Sequence, residues 1–306
     1  MIWIDTDGGV DDALAIAVAS KLVKSEDLVF STVFGNVSVR QATHNVKALL
    51  RLLDLDAPIF LGADRASDDF SVSAAHIHGA DGMGGAVGEV EMSDGFPSLR
   101  PELPDFVRRR RIDGRSVHIL GIGPATNIPS IVECIGRDRI CGITMMAGAL
   151  FDRGNITGDA EFNLYSDPSA LAHVLSLGVP VTIVPLDLCR KIVFRRDDVA
   201  GLTAFGNAGQ LLVDAHRFYM TSYENTDGVF GCFPHDTIAL LALLYPSRFD
   251  FWELPFDIDV SGEHRGRMRF RPEGKYRARV CLGGDLPWVR KLTRSWVLPK
   301  VELSQI

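Results

Sequence analysis

The chain has no run of about 18 apolar residues free of charge, no C-x-x-C pair and no proline- or serine-rich stretch that would divide it. The first absence excludes a transmembrane helix. Because there are only five cysteines, at 134, 141, 189, 232 and 281, the second indicates neither a disulfide framework nor a zinc ribbon and predicts reduced, buried thiols. The third leaves 306 residues to be read as a single domain, for which 46% hydrophobic content is ample core. Net positive charge is missing too: at −7 the chain has no general affinity for nucleic acid or acidic membrane surfaces. No signal-peptide pattern precedes the first strand, so a cytoplasmic protein is expected.

What is present is concentrated in residues 1–12, M-I-W-I-D-T-D-G-G-V-D-D. An apolar run ends in Asp5 and Asp7, two glycines follow, and Asp11 and Asp12 open a periodic stretch at 13–23. That order predicts a strand, a tight turn and a helix start. Turn chemistry and the helix dipole account for any two of these acids, less readily for four within eight residues. Carboxylates about 4 Å apart repel by about 4 kcal/mol at an effective dielectric of 20, so a converging set needs a cation, a shared proton or water. An all-oxygen cluster suits calcium or magnesium rather than zinc.

Further apolar runs at 27–34, 57–61, 116–121, 141–147 and 179–185 alternate with helical patterns, which predicts an open, mostly parallel sheet flanked by helices, its strand ends aligned on one edge. Asn36 then stands beside the acids, although a turn or cap asparagine reads the same locally. Residues 62–98 lose periodicity and read as an active-site lid loop. Within it His78 has the look of a solvated loop histidine, and Gly79 and Gly82 suggest mobility. The basic run at 108–111 reads as a solvated helix end. In G-N-I-T-G-D-A-E-F-N-L-Y-S-D-P, residues 154–168, Asn155, Glu161 and Asn163 suit sugar hydroxyls and Phe162 offers an apolar face. A long helix at 204–223 carries Phe218, Tyr219 and Tyr223, which can stack on a base or simply pack. At Pro234-His235-Asp236 a helix start explains the acid but not the histidine. The C-terminal part reads as strands at 251–260, 265–271 and 275–282, with Pro272-Glu273-Gly274 as a hairpin turn and Arg265, Arg267, Arg269 and Arg271 on one exposed face. A helix at 288–297 closes it.

Two families begin as this chain does. The D-x-D-G start resembles the haloacid-dehalogenase-like phosphatases, in which Asp5 would be the nucleophile and Asp7 the acid/base with magnesium, but that pattern has no use for Asp11 and Asp12 and finds no partners downstream. The ordered set D-T-D-G-G-V-D-D, G-N at 35–36, H-G-A-D-G-M-G from His78, G-P-A-T-N from Gly123, G-N-I-T-G-D-A-E-F-N and P-H-D at 234–236 resembles the inosine-uridine preferring nucleoside hydrolases over nearly the whole length. Gly8 stands where that family usually has proline, which would loosen the turn.

The resemblance implies a Rossmann-like nucleoside hydrolase fold and calcium-dependent hydrolysis of the N-glycosidic bond of ribonucleosides. It implies calcium on Asp7, Asp12, Asp236 and the backbone carbonyl of Thr126, with Asp7 as general base and Asp5 supporting it from behind. Asp11 and Asn163 would hold the 2- and 3-hydroxyls, Asn155 and Glu161 the 5-hydroxyl, and Asn36 the ribose, with Phe162 and His78 also lining the substrate site. His235 would protonate the departing base, and the working form would be a homodimer or homotetramer. Two alternatives stay open: a same-fold hydrolase of another ribosyl or sugar conjugate, and a non-catalytic ribose-binding protein, which the intact Asp7, Asp12 and Asp236 disfavour.

Overall fold

A computed structural model of the chain describes residues 1–88, 97–109 and 116–296. Strands β1 (Ile2–Thr6), β2 (Leu28–Thr32), β3 (Ile59–Leu61), β4 (Val117–Gly121), β5 (Ile140–Met146), β6 (Val181–Val184), β7 (Phe249–Ile258), β8 (Met268–Phe270) and β9 (Tyr276–Gly284) form one sheet. Their order is β3-β2-β1-β4-β5-β6-β9-β7-β8. Pairing is parallel from β3 through to β9 and antiparallel only where β7 joins β9 and β8.

Helices cover both faces. They are α1 (Val10–Leu22), α2 (Val39–Leu52), α3 (Ala75–His78), α4 (Leu99–Arg109), α5 (Ile128–Ile135), α6 (Phe162–Ser166), α7 (Pro168–Ser176), α8 (Leu186–Cys189), α9 (Arg196–Ala200), α10 (Asn207–Asp227), α11 (His235–Leu244) and α12 (Leu286–Ser295). Alternation along β1 divides the core: Ile2 and Ile4 join the layer built by α1, α10 and α11, whereas Trp3 joins that of α4, α5 and α7. Because both faces are covered, the strands need no polar side, which is why they read as continuous apolar runs. Helix α1 is buried from Val10 to Ala19, and its alanines let α11, itself buried throughout, approach closely. From β1 the chain runs outward through β2 and β3, then returns to β4 on the other side of β1. This is a topological switch point, and a crevice opens there at the carboxyl ends of the strands.

The C-terminal part departs from expectation. Strands β8 and β9 are not hairpin partners; β7 lies between them, and the hairpin is β7 with β8, closed by the loop at 259–267. The arginine alternation is also interrupted. Strand β8 spans three residues, Gly266 adopts φ +75, and Arg265 is a buried turn residue bonded to Asp68 and to the carbonyls of Tyr165 and Ser166. Arg267 and Arg269 pair with Asp259 rather than facing open solvent. Of the lid segment, residues 89–96 lie outside the described residues, as do Arg110, Arg111 and Val297. At 83–88 the Asp81 carboxylate accepts N–H bonds from Met83, Gly85, Val87 and Gly88, and Gly79, Gly82, Gly84, Gly85 and Gly88 take the positive φ of tight turns. All five cysteines are free; Cys189, Cys232 and Cys281 are buried as predicted, whereas Cys141 is exposed. No helix among the described residues is long and apolar enough to cross a membrane.

Candidate active site

Strand β1 ends at the switch point and hands its polypeptide to the turn at 7–9, so the acids predicted from residues 1–12 arrive there together. Asp7 Oδ2 accepts the Asn36 N–H at 2.8 Å and Oδ1 accepts the Asn36 amide at 2.9 Å, which joins the ends of β1 and β2. Asp12 sits in the first turn of α1 and accepts from the N–H groups of Asp7 at 3.2 Å and Gly9 at 2.9 Å and from the Thr6 hydroxyl. Asp236 enters from the start of α11. Ligand-capable oxygens of Asp11, Asp12 and Asp236 lie within 4.8 Å of one another.

Burial first, then mutual repulsion, raises Asp7, Asp11 and Asp236 well above the usual carboxylate range, and burial raises Asp12 as well. Among the described residues no lysine or arginine pairs with any of them; the one basic side chain beside Asp11 is the neutral His78 ring, at 3.9 Å. Four buried acids with oxygen donors and no resident positive charge fit a hard divalent cation.

The turn itself differs from expectation. Gly8 adopts φ +70, and a Cβ there would lie 2.6 Å from the Ala42 Cα. The position therefore demands glycine, and the turn is tight rather than loosened. Replacing Gly8 with proline, the residue usual at this place in the resembled family, is expected to lower stability by more than about 1 kcal/mol, read as a fall in the urea midpoint, because proline is held near φ −65°. An unchanged midpoint would show that the turn accepts another shape.

Asp5 stands behind the cluster and does not line the cavity. Its Oδ1 accepts from the Ser31 hydroxyl and from the Asn127 amide at 2.9 Å, its Oδ2 has no partner, and burial pushes it up to about 7. A phosphatase nucleophile has to face a substrate, so the phosphatase reading is excluded by position as well as by the absent downstream motifs.

A cavity of about 70 Å³, open at one side, lies over the acids and is lined by Asp11, Asn36 and Asp236, by Asn155, Glu161, Phe162 and Asn163, and by His78 and His235. Asn163 donates to the carbonyls of Ile122 at 3.3 Å and Met146 at 3.1 Å, fixing itself to the ends of β4 and β5. Glu161 caps α6, taking the N–H groups of Asn163 and Leu164 and also that of Gly148. Asn155 Oδ1 accepts the Phe162 N–H at 2.8 Å. His78 is not solvated: it is buried, and its Nδ1 accepts the Val10 N–H at 3.1 Å.

Thr126 is not brought to this cavity. It lines a separate cavity with Gly62 and Ser67, and its hydroxyl donates to Asp167 at 2.9 Å. From the same connection it is Ile122 that lines the acid-floored cavity. Both tyrosines of α10 line the cavity: Tyr219 lies close enough to Asp11 to favour its ionised form, and Tyr223 places its hydroxyl 3.0 Å from His235 Nε2. Burial, and then the charge of Arg190, holds His235 down at about 3, so the ring is neutral at rest. Sequence reasoning passed over Ile122, Met146 and Arg190. Their only local signal is a place at a strand's last residue, as for Met146, or one and six residues past one, as for Ile122 and Arg190.

A parallel sheet with an acid-floored cavity at its switch point defines the class: an α/β enzyme with a polar small-molecule site. The chain matches the family model described as inosine-uridine preferring nucleoside hydrolase over residues 2–291, and it belongs to that family. It is 30% identical to uridine nucleosidase 1 of Arabidopsis thaliana, over 94% of this chain and 84% of that one. It is 31% identical to the non-specific ribonucleoside hydrolase RihC of Salmonella agona, over 86% and 84%. Among solved structures, the purine-preferring ribonucleoside hydrolase from Gardnerella vaginalis superposes with a TM-score of 0.81 at 29% identity, covering 96% of each chain. The protein is thus a nucleoside N-glycosidase of a metal-dependent family.

Proposed function

We propose that the protein hydrolyses ribonucleosides to base and ribose with a calcium ion held at the acid cluster. The observation that carries this reading is the convergence of Asp11, Asp12 and Asp236, with Asp7 buried beside Asp12, at a cavity walled by amides and aromatic rings. Asp7, Asp12, Asp236 and one backbone carbonyl would hold the ion, and Ile122, which lines the cavity, suits the last part better than Thr126. A divalent cation there supplies neutralisation of the acids and polarisation of oxygen.

The chain's own residues do the rest. Asp7 takes a proton from the attacking water; Asn36 fixes both of its oxygens, and burial makes it a better base than a solvated carboxylate. Asp11 and Asn163 hold the 2- and 3-hydroxyls, Asn155 and Glu161 the 5-hydroxyl, and Asn36 steadies the ring. Positive charge developing on the sugar is stabilised by the buried acids around it. As negative charge builds on the departing base, the neutral His235 ring passes it an N–H proton and takes up one from solvent in its place, and the Tyr223 hydroxyl holds that ring in line.

Release of reducing sugar from a panel of purine and pyrimidine nucleosides, after chelation and again with calcium restored, tests the reading. Calcium-restored turnover supports it, and silence on every nucleoside sinks it, redirecting attention to another ribosyl conjugate. His235→Ala is expected to lower kcat for inosine or uridine by about 10²- to 10⁴-fold. A p-nitrophenyl riboside, whose leaving group needs no proton, should lose less than about tenfold. Equal losses on both substrates would remove His235 from the role of acid.

A further inference from the structure

One turn of helix at the end of β6 grips the loop that carries Asn155. Asp187 accepts the N–H groups of Leu150 at 2.8 Å and Phe151 at 2.7 Å. Three residues on, Arg190 donates one guanidinium nitrogen to the Arg153 carbonyl and the other to the Gly154 carbonyl at 2.9 Å, with the Asp152 carboxylate 3.3 Å away. The loop from 150 to 154 is thus held by its N–H groups at one end and by its carbonyls at the other. Beyond it the chain folds on itself, Gly154 N–H to Gly158 and Asn155 N–H to Ala160, and Asn155 then receives the Phe162 N–H at the start of α6.

Arg190 also lines the active cavity, and its side chain is 15% exposed. Its charge favours ionised Glu161 and disfavours a proton on His235, which places it electrostatically between the two ends of the site. A fork is needed here: two carbonyls one residue apart match the two terminal nitrogens of a planar guanidinium, and a lysine ammonium cannot span both with fixed geometry.

We propose that Arg190 is the positioning residue for the sugar's 5′ end: by clasping the carbonyls of Arg153 and Gly154 it sets Asn155, and with it Glu161, against the 5′-hydroxyl. This rests on the nucleosidase reading above. It makes the discrimination between substrates with and without that hydroxyl depend on an arginine that need not touch the hydroxyl itself.

The test compares kcat/KM for inosine and 5′-deoxyinosine in the wild-type protein, Arg190→Ala, Arg190→Lys and Asp152→Asn, calcium present throughout. The wild type should favour inosine by at least about tenfold. In Arg190→Ala the ratio should fall to within about threefold, chiefly through KM for inosine, and Arg190→Lys should behave the same way although the charge is kept. Asp152→Asn, which leaves both carbonyl bonds in place, should shift the ratio by no more than about twofold.

Each ratio is internal to one preparation, so a lower folded fraction cancels, and a general loosening of the site would depress both substrates equally. A wild-type ratio retained in both Arg190 variants overturns the proposal, as does a ratio restored by lysine, which would assign the effect to charge. A wild-type protein that discriminates but follows none of these patterns fails this inference alone. One that cleaves neither substrate takes down the nucleosidase reading and this inference together.

Discussion

Asp7→Asn is expected to lower kcat by about 10²- to 10⁴-fold on every nucleoside while leaving the fold intact. The substitution is nearly isosteric, and the side-chain oxygen that remains can still accept from Asn36, so the bridge between the ends of β1 and β2 survives in part. What is lost is the basic oxygen and one charge of the cluster. Because the other buried acids repel Asp7, the variant should be no less stable than wild type when cation is removed, a sign opposite to that of most buried substitutions. Reducing-sugar release with circular dichroism and a thermal melt measures both. Turnover within tenfold of wild type would show that another group takes the proton.

Removing the cation is expected to abolish turnover and to lower stability by an amount that grows with pH. At free cation about 100 times Kd the bound state gains about 2.7 kcal/mol, which corresponds to several degrees in Tm. The sign follows from the folded-state shifts. Asp5, raised from 3.8 to about 7, and Asp7, Asp11 and Asp236, also raised, contribute stability that is complete below the unfolded carboxylate range. That contribution is lost as pH rises through the folded values. His78 and His235, held at about 3, and His216, at about 4, act at the other end: their contribution is present above about 6.5 and lost as pH falls toward those values. The cation-free protein should therefore be most stable in weakly acidic solution. Cation binds the deprotonated acids, so the calcium-induced rise in Tm should increase from pH 5 to pH 8. A rise that is flat or falls over that range would place the ion elsewhere.

Several features were decided by the sequence alone, because the physics behind them is local. Four acids in eight residues around a Gly-Gly turn cannot be dispersed by any fold, so a charged cluster at the end of the first strand followed from chain connectivity. Apolar runs alternating with helical periods carried the parallel sheet in the same way, and Asn36 followed from its place just past β2.

Only the tertiary structure decided the rest. A turn at Pro272-Glu273-Gly274 looks like a hairpin locally, yet strand pairing is a long-range choice, and β7 takes the place between β8 and β9. Arg265 has the alternation of an exposed strand residue, but a positive φ at Gly266 ends the period and the guanidinium is buried against Asp68. In the connection after β4, Ile122 stands one residue past the strand and Thr126 five, and the path of the backbone sends only the first to the acids. Tyr219 meets Asp11, and Arg190 meets the carbonyls of Arg153 and Gly154, across separations that no local pattern encodes. Sequence carries the charge that a segment must hold and the period it must follow. Which distant groups satisfy that charge is set by packing, since each buried polar atom takes the partner that the closed fold leaves within reach.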